Sequence, residues 1–551
     1  MPPSAQFDLK TEVDFVVVGA GAAGGVVAKQ LAEAGFSTVV LEQGPYLREK
    51  DFRHDEVGVT FHPGLTNDTK LRPNAFRKRP DDLAKERKAV EYGCMVGGGS
   101  VHFTANYWRF HESDFHEYSL CGSIDGAGFA DWPITYQELE PYYTRMEWDL
   151  GISGLAGSNP FDSPRSKPYP LPPMPVKSSG VLFEGAAKKL GWHPYPAPVA
   201  ILSKPYQGRA ACVNCGFCES FGCEVNAKSS TLATMIPLAE KTGHCEIRPN
   251  SYVRKIETDK RGRVTGAHYF EGQKKKSVFQ RARAVVVCAN GAETPRLLLM
   301  SKSRQFPNGL ANSSGLVGKY LMFDAGLAAR GLFEYPLNDY KGIQVTRVLQ
   351  DFYDADPKRG FYGGGALDAR FDWYPIAFAL SGMPPEVPRW GEEFKKSVGD
   401  YFNHTMTVLA HSTCLPRESN SISLSPVTTD AWGLPALLVT FEYHPDDVSN
   451  MAWLLARQRE LLEAAGAKNI WVDDTSVLDV SRHLMGTCRM GNDPKTSVVD
   501  RFHRAHDVPN LFLVDGSSFV TSGRQQPTCT IQALACRAAD YIAEAARKGE
   551  I

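Results

Sequence analysis

Four thiols fall close together in the stretch CVNCGFCESFGC, at Cys212, Cys215, Cys218 and Cys223, while the other cysteines of the chain are scattered. The spacing Cys-x2-Cys-x2-Cys-x4-Cys is close to runs that offer thiolates at every third residue to an iron-sulfur cluster. Three of the thiols would suffice for a 3Fe-4S cluster and all four for a 4Fe-4S cluster, and the spacing leaves both open. Zinc usually takes two separated pairs, and no second pair follows at the usual interval, so a zinc knuckle is the lesser reading and a disulfide lesser again. A second chemistry is written near the N-terminus. Gly19, Gly21 and Gly24 form GxGxxG, in which the first glycine permits a tight turn, the second lets the backbone approach a pyrophosphate, and the third lets helix and strand pack closely. Glu42 follows at the end of the next apolar run, where a carboxylate can accept both hydroxyls of an adenosine ribose.

These residues need elements to hold them. VDFVVVGAGAAGGVVAKQLAEAGFSTVVLEQG reads as a buried strand, a glycine turn, an alanine-rich helix and a second strand, one βαβ unit whose helix N-terminus faces the phosphates. This predicts a dinucleotide and does not separate NAD from FAD. The chain has 551 residues, 43% of them hydrophobic, enough for a large core and more than one domain. Lys plus Arg total 61 against 62 for Asp plus Glu, so there is no basic field to draw nucleic acid. No apolar run reaches membrane-spanning length, and MPPSAQFDLKTEVD has neither the basic start nor the apolar core of a secretion signal. A chain made as a soluble, small-molecule enzyme is expected.

Four further stretches select the flavin. GCMVGGGSVHFTANYWR (93–109), GAETPRLLLMS (291–301), HLMGTCRMG (483–491) and NLFLVDGSSFVTSGRQQPTCTIQALACRAADYI (510–542) resemble, in order, the signatures of the glucose-methanol-choline (GMC) oxidoreductases. The resemblance implies FAD, an α/β architecture with a Rossmann-like FAD-binding domain and an antiparallel-sheet substrate domain, and alcohol oxidation by hydride transfer to flavin N5. It also implies the site. Gly97, Gly98 and Gly99 would let backbone lie flat on the flavin ring, with Ser100 able to bond to it. His102 matches a histidine that carries FAD covalently in pyranose oxidases, and an unlinked imidazole beside the ring is the alternative. Asp515 follows the strand LFLV and would help close the cofactor site, with Pro527 beside it.

His483 matches the family's catalytic histidine: an imidazole titrates near neutrality and suits removal of a hydroxyl proton as hydride leaves carbon. The family's second active-site residue, usually His or Asn, is here Gln526, which can orient a hydroxyl but cannot titrate. A further departure lies in VGKYLMFDAG (317–326), where Phe323 and Asp324 stand in place of the Asp-His that relatives often carry after the Met. The sequence assigns neither a role.

Residues 331–480, with the strand-like HTMTVLAHSTCLP, NSISLSP and LPALLVTFEYHPDD and the amphipathic DDVSNMAWLLARQRELLEAAG, are expected to form the substrate domain. FAD-binding segments are expected over 1–200, 236–330 and 481–551, and a cysteine-rich insertion near the surface over 201–235. Trp373, Tyr374 and Trp390 are candidates to stack on a sugar ring. A cysteine-rich insertion at this point also resembles the iron-sulfur catalytic subunits of bacterial sugar and polyol dehydrogenases. That resemblance implies a small helper subunit, a c-type cytochrome as acceptor, and a place on the periplasmic face of the inner membrane through a partner, with the cytoplasm as the alternative. The expected reaction is oxidation of a pyranose or glycoside hydroxyl to a ketone, as in a glucoside 3-dehydrogenase. Gluconate or fructose is the rival substrate, and an oxygen-using oxidase with a structural metal at the cysteines the rival class.

Overall fold

The computed structural model describes residues 6–62, 64–272, 275–472 and 482–551. The predicted boundary at 480/481 lies outside them.

The predicted βαβ unit is present as β1 (Val13–Val18), α1 (Ala22–Glu33) and β2 (Thr38–Leu41). β1 is apolar nearly throughout because both of its edges and both faces are covered, the condition of a central parallel strand. It pairs in parallel with β2 (Val16 opposite Val39) and with strand Ser277–Val287 (Val16 opposite Val285). Strand Cys245–Arg248 extends the sheet beyond β2, and Leu511–Leu513 extends it beyond Ser277–Val287. Ser277–Val287 is long enough to serve twice: its first half pairs antiparallel with Val264–Glu271, which in turn pairs with Ser251–Thr258. α1 packs between the C-terminal helix Thr528–Arg547 and the short helix Met235–Lys241. The polar stretch from 226 becomes helical only at Met235. Asn226 is left-handed at φ 54° and Thr234 Oγ1 donates to Ser230 O, so local side-chain bonding displaces the first turns.

The substrate half is a six-stranded antiparallel sheet in the order 469–472, 328–332, 405–412, 365–370, 345–349, 195–196. Helices Pro445–Ala465 and Ser178–Lys189 cover it, burying Leu454, Leu461, Phe183 and Ala187 against Leu367, Met406 and Val408. The sheet therefore takes its edge strand, Tyr195–Pro196, from within the predicted 1–200 segment, and it starts before residue 331.

Strands Ser421–Thr429 and Pro435–Thr440 exist as predicted but form a separate four-stranded sheet, because 435–440 pairs in parallel with Asn74–Arg77 (Leu437 opposite Asn74). Arg296 binds this sheet to helix Asn290–Met300. Its guanidinium lies 2.8 Å from Asp430 and 3.1 Å from Glu293, and its Nε donates to Pro435 O at 2.9 Å, all buried. Truncation to R296A strands Asp430 without its cation and is expected to destabilise the fold by about 3–5 kcal/mol, measured by denaturant unfolding. Among the described residues no helix is long and apolar enough to cross a membrane.

Candidate active site

One cavity of about 810 Å³ runs from the glycine turn of β1–α1 to the C-terminal segment. Gly19 is left-handed (φ 95°), and a Cβ there would lie 2.6 Å from Cys288 O; a Cβ on Gly24 would lie 1.9 Å from Gly19 O. Gly98, at φ 52°, passes Gly21 so closely that its Cβ would stand 2.7 Å from Gly21 Cα. The N-terminus of α1 has no side-chain cap, and Gly21, Ala22 and Ala23 line the cavity, so its amide groups are presented to an anion. Glu42 is buried at the far end; its carboxylate accepts from Ala20 N and Gly44 N, both at 2.9 Å, and burial raises its pKa despite them. Gln43 Oε1, His102 Nε2, Asp324 Oδ1 and Gln526 Oε1 are buried polar atoms on this wall with no partner in the protein. A cradle of bare backbone ending in unmet polar atoms fits FAD: phosphates at Gly21–Ala23, adenosine towards Glu42, and the flavin along Gly98, Gly99 and His102.

Ser100 lines the cavity, and its Oγ donates to Gly97 O (2.7 Å) and accepts from Thr231 N (3.1 Å), fixing the glycine loop. Asp515 also acts within the protein. It accepts from Ser517 N (2.8 Å), Asn290 N (3.1 Å) and Thr294 Oγ1 (2.6 Å), tying two signature segments together at the cavity wall. Pro527 is the residue before helix Thr528–Arg547 and lines the cavity with Thr528, so a second helix N-terminus points there. The His102 imidazole is buried, and burial, with Arg482 and Lys228 nearby, pulls its pKa down to about 4, so it is neutral.

The segment that carries His483 is placed by backbone contacts. Leu484 O is nested between Gly291 and Gly516, where a Cβ on either glycine would come within 2.5 and 2.6 Å of it. Met322 and Met485 exchange backbone hydrogen bonds of 3.0 and 3.1 Å, and Ser412 N donates to Ala325 O at 2.7 Å. Together these bridges set Asp324 between His483 and a histidine not singled out above, His411. Asp324 Oδ2 accepts from Nδ1 of both, at 3.0 Å each. Binding His483 through Nδ1–H puts the basic lone pair on Nε2.

His411 Nε2 lies 2.9 Å from Asp368 Oδ2, and Asp368 is held in turn by Arg370 (Nε to Oδ1, 2.7 Å). Gln526 Nε2 is 2.9 Å from His411 Nε2, and the Trp108 ring meets the His411 ring edge-on at 5.5 Å. Burial lowers the His411 pKa, but Asp324 and Asp368 outweigh it and raise it to about 9. Burial raises that of Asp324, but the two imidazoles outweigh it and hold the carboxyl below the usual range. Protonated His411 therefore contributes stability that is complete below pH about 6.5 and is lost as pH rises through about 9. Thermal unfolding followed from pH 6 to 10 is expected to show this fall in the wild type and a flatter profile in H411L.

The cysteine run reaches the surface at Val213 and Cys215, as expected, but also touches the cavity wall. Ser220 N donates to His102 O at 2.7 Å and Glu219 lines the cavity, where it pairs with Arg482. Lys228, buried, donates to Cys218 O (2.6 Å), Phe221 O (2.8 Å) and Phe103 O (3.2 Å), fastening the run to the flavin-side loop. Burial pushes the Cys218 thiol up to about 12 in spite of Lys228. The four thiols sense one another electrostatically, yet among the described residues no three His, Cys, Asp or Glu side chains converge to hold a metal ion.

The aromatic candidates do not line the cavity either. Tyr374 stacks on Phe217 (5.2 Å), which stacks on His54 (4.2 Å), and the Tyr374 hydroxyl donates to Glu219 O, so it clamps the cysteine run. Trp373 lies beneath Arg330, and Trp390 is 84% exposed.

The chain matches the profiles of the GMC oxidoreductases over residues 13–322 and 416–535. It is 36% identical to the 2-methyl-1,2-propanediol dehydrogenase of Mycolicibacterium austroafricanum, over 96% of this chain and 95% of that one. It is 30% identical to the fructose dehydrogenase large subunit of Gluconobacter japonicus (97% and 98%), and 29% identical to the gluconate 2-dehydrogenase flavoprotein of Pantoea cypripedii (97% and 94%). Among solved structures, a formate oxidase of Aspergillus oryzae superposes with a TM-score of 0.68 at 16% identity, covering 98% of this chain and all of that one, which speaks to the fold. With a flavin cradle, a histidine on a carboxylate and profile matches over both halves of the chain, the protein belongs to the FAD-dependent GMC oxidoreductases.

Proposed function

We propose that the protein is an FAD-dependent dehydrogenase that oxidises a hydroxyl group of a polyhydroxy compound, a pyranose or glycoside ring hydroxyl first among them, with His483 as the base. The observation that carries this is the placement of His483, fixed through Nδ1 on Asp324, in the same cavity as the flavin cradle. His483 Nε2 takes the hydroxyl proton, Asp324 stabilises the imidazolium that results, and Gln526 orients the substrate oxygen. FAD, when bound along Gly98, Gly99 and His102, supplies the hydride acceptor. The similarity to dehydrogenases of a diol, a ketose and a sugar acid supports a hydroxyl substrate. It also favours a second reading, a small vicinal diol, since that relative is 36% identical and no predicted stacking aromatic lines the cavity.

That the cysteines carry an iron-sulfur cluster, with a small helper subunit, a c-type cytochrome acceptor and a periplasmic location through a partner, belongs to the same proposal. It is supported by the thiol spacing and by the contact of the run with His102. Anaerobic addition of 2-methyl-1,2-propanediol, fructose, gluconate or a methyl glucoside is expected to bleach the flavin with one of them, and bleaching with none sinks the reading. Iron and acid-labile sulfide in a ratio of three or four per FAD support the cluster. Zinc without sulfide, with fast oxygen uptake, points instead to an oxidase with a structural metal.

A further inference from the structure

The resemblance supplies a base and a second active-site position, and neither accounts for a histidine locked between two carboxylates on the substrate sheet. His411 belongs to strand Thr405–Ser412, and Asp368 to the neighbouring strand, where it lies opposite Leu409 and therefore on the same face as His411. Both ring nitrogens of His411 have a carboxylate oxygen within 3.0 Å: Asp324 Oδ2 at Nδ1 and Asp368 Oδ2 at Nε2. A ring that donates from both nitrogens is an imidazolium.

Gln526 packs against the same ring: its Nε2 stands 2.9 Å from His411 Nε2 and 3.4 Å from His411 Nδ1, across the ring face, so it does not compete with the carboxylates for the two N–H groups.

We propose that His411 is a positioning residue of the oxidation: as an imidazolium it shares Asp324 with His483 and so fixes the base. This rests on the dehydrogenase reading of the site. The groups facing His411 are Asp324 from the 322–327 segment, Asp368 and Arg370 from the adjacent strand, and His483 beyond Asp324; Gln526 and Trp108 complete the shell without charge. The cationic state fits the raised pKa of about 9.

The test compares H411L, H411N, D324N, D324N/H411L and H483A as FAD-loaded enzymes. Each is scored for FAD content, for the flavin reduction rate with whichever compound of the panel bleaches the wild type, and by 15N NMR of the histidine rings. H411L is expected to lose roughly 10- to 100-fold in limiting rate, the scale for an orienting group one contact removed, with KM within about threefold and FAD retained. H411N, which keeps a donor at the Nδ1 position, is expected to recover most of the rate. Because both act through Asp324, H411L is expected to add little in the D324N background. The ring of His411, assigned by its absence from H411N, is expected to show two protonated nitrogens at pH 7.5. A wild-type rate in H411L with full FAD, or a neutral His411 ring at pH 7.5, overturns the inference; should H411L fail to fold, H411N and the NMR result decide. An H483A enzyme that still reduces its flavin at the wild-type rate would strike the base assignment itself, whatever the His411 variants do.

Discussion

An H483A enzyme is expected to keep its yellow colour and to lose about 10²- to 10⁴-fold in the rate of flavin reduction, the range a positioned general base supplies, if His483 is the base proposed above. The cofactor survives because the segment is held by its backbone: Leu484 O sits between Gly291 and Gly516, and Met485 is bonded to Met322, none of which involves the imidazole. The rate is expected to fall because His102, on the flavin-side loop, is made a weak base by burial, and Gln526 cannot titrate. On the proposal above, His411 is already protonated between its two carboxylates. Anaerobic stopped-flow reduction at saturating substrate reads the loss directly, and equal losses in kcat and kcat/KM place it in the transition state.

Gly99→Val is expected to yield a folded protein that holds less than about a tenth of the wild-type FAD per chain. A Cβ at Gly99 meets no protein atom within 4 Å, so the substitution costs the apoprotein little. The space it enters is that of the cavity, between the uncapped end of α1 and His102, where the flavin would lie. Gly98→Ala makes the contrast: its methyl would stand 2.7 Å from Gly21 Cα and push the phosphate turn itself. Absorbance at the flavin band against protein, with circular dichroism for the fold, separates the two. Stoichiometric FAD in the Gly99 variant would remove the glycine loop from the flavin face.

What the sequence disclosed follows the range of the interactions. The βαβ unit was legible because glycine turns and apolar periodicity are local. Strands 421–429 and 435–440 were legible as strands, but their sheet was not, since their partner lies at 74–77, more than three hundred residues upstream. Asp324 was visible as a departure without a function. Its function depends on His411 and His483, joined to it only through backbone bridges between separate segments. His411 stood in a stretch marked as a strand, yet a histidine on a strand has no meaning until the register sets Asp368 diagonal to it. The cysteine spacing was plain, whereas the contact of Ser220 with His102 that makes the run part of the cavity wall was not.

The central parallel sheet closes with Leu511–Leu513, and the helix that backs α1 begins only at Thr528. A ribosome making this chain therefore releases Gly19 roughly 25–100 seconds before the residues that complete its pocket, at ordinary elongation rates of about 5–20 residues per second. Until then the nascent half-site exposes the apolar flank of α1 that helix Thr528–Arg547 will cover. Cofactor capture waits on that helix, and a change within it is a perturbation of flavin loading before it is one of catalysis.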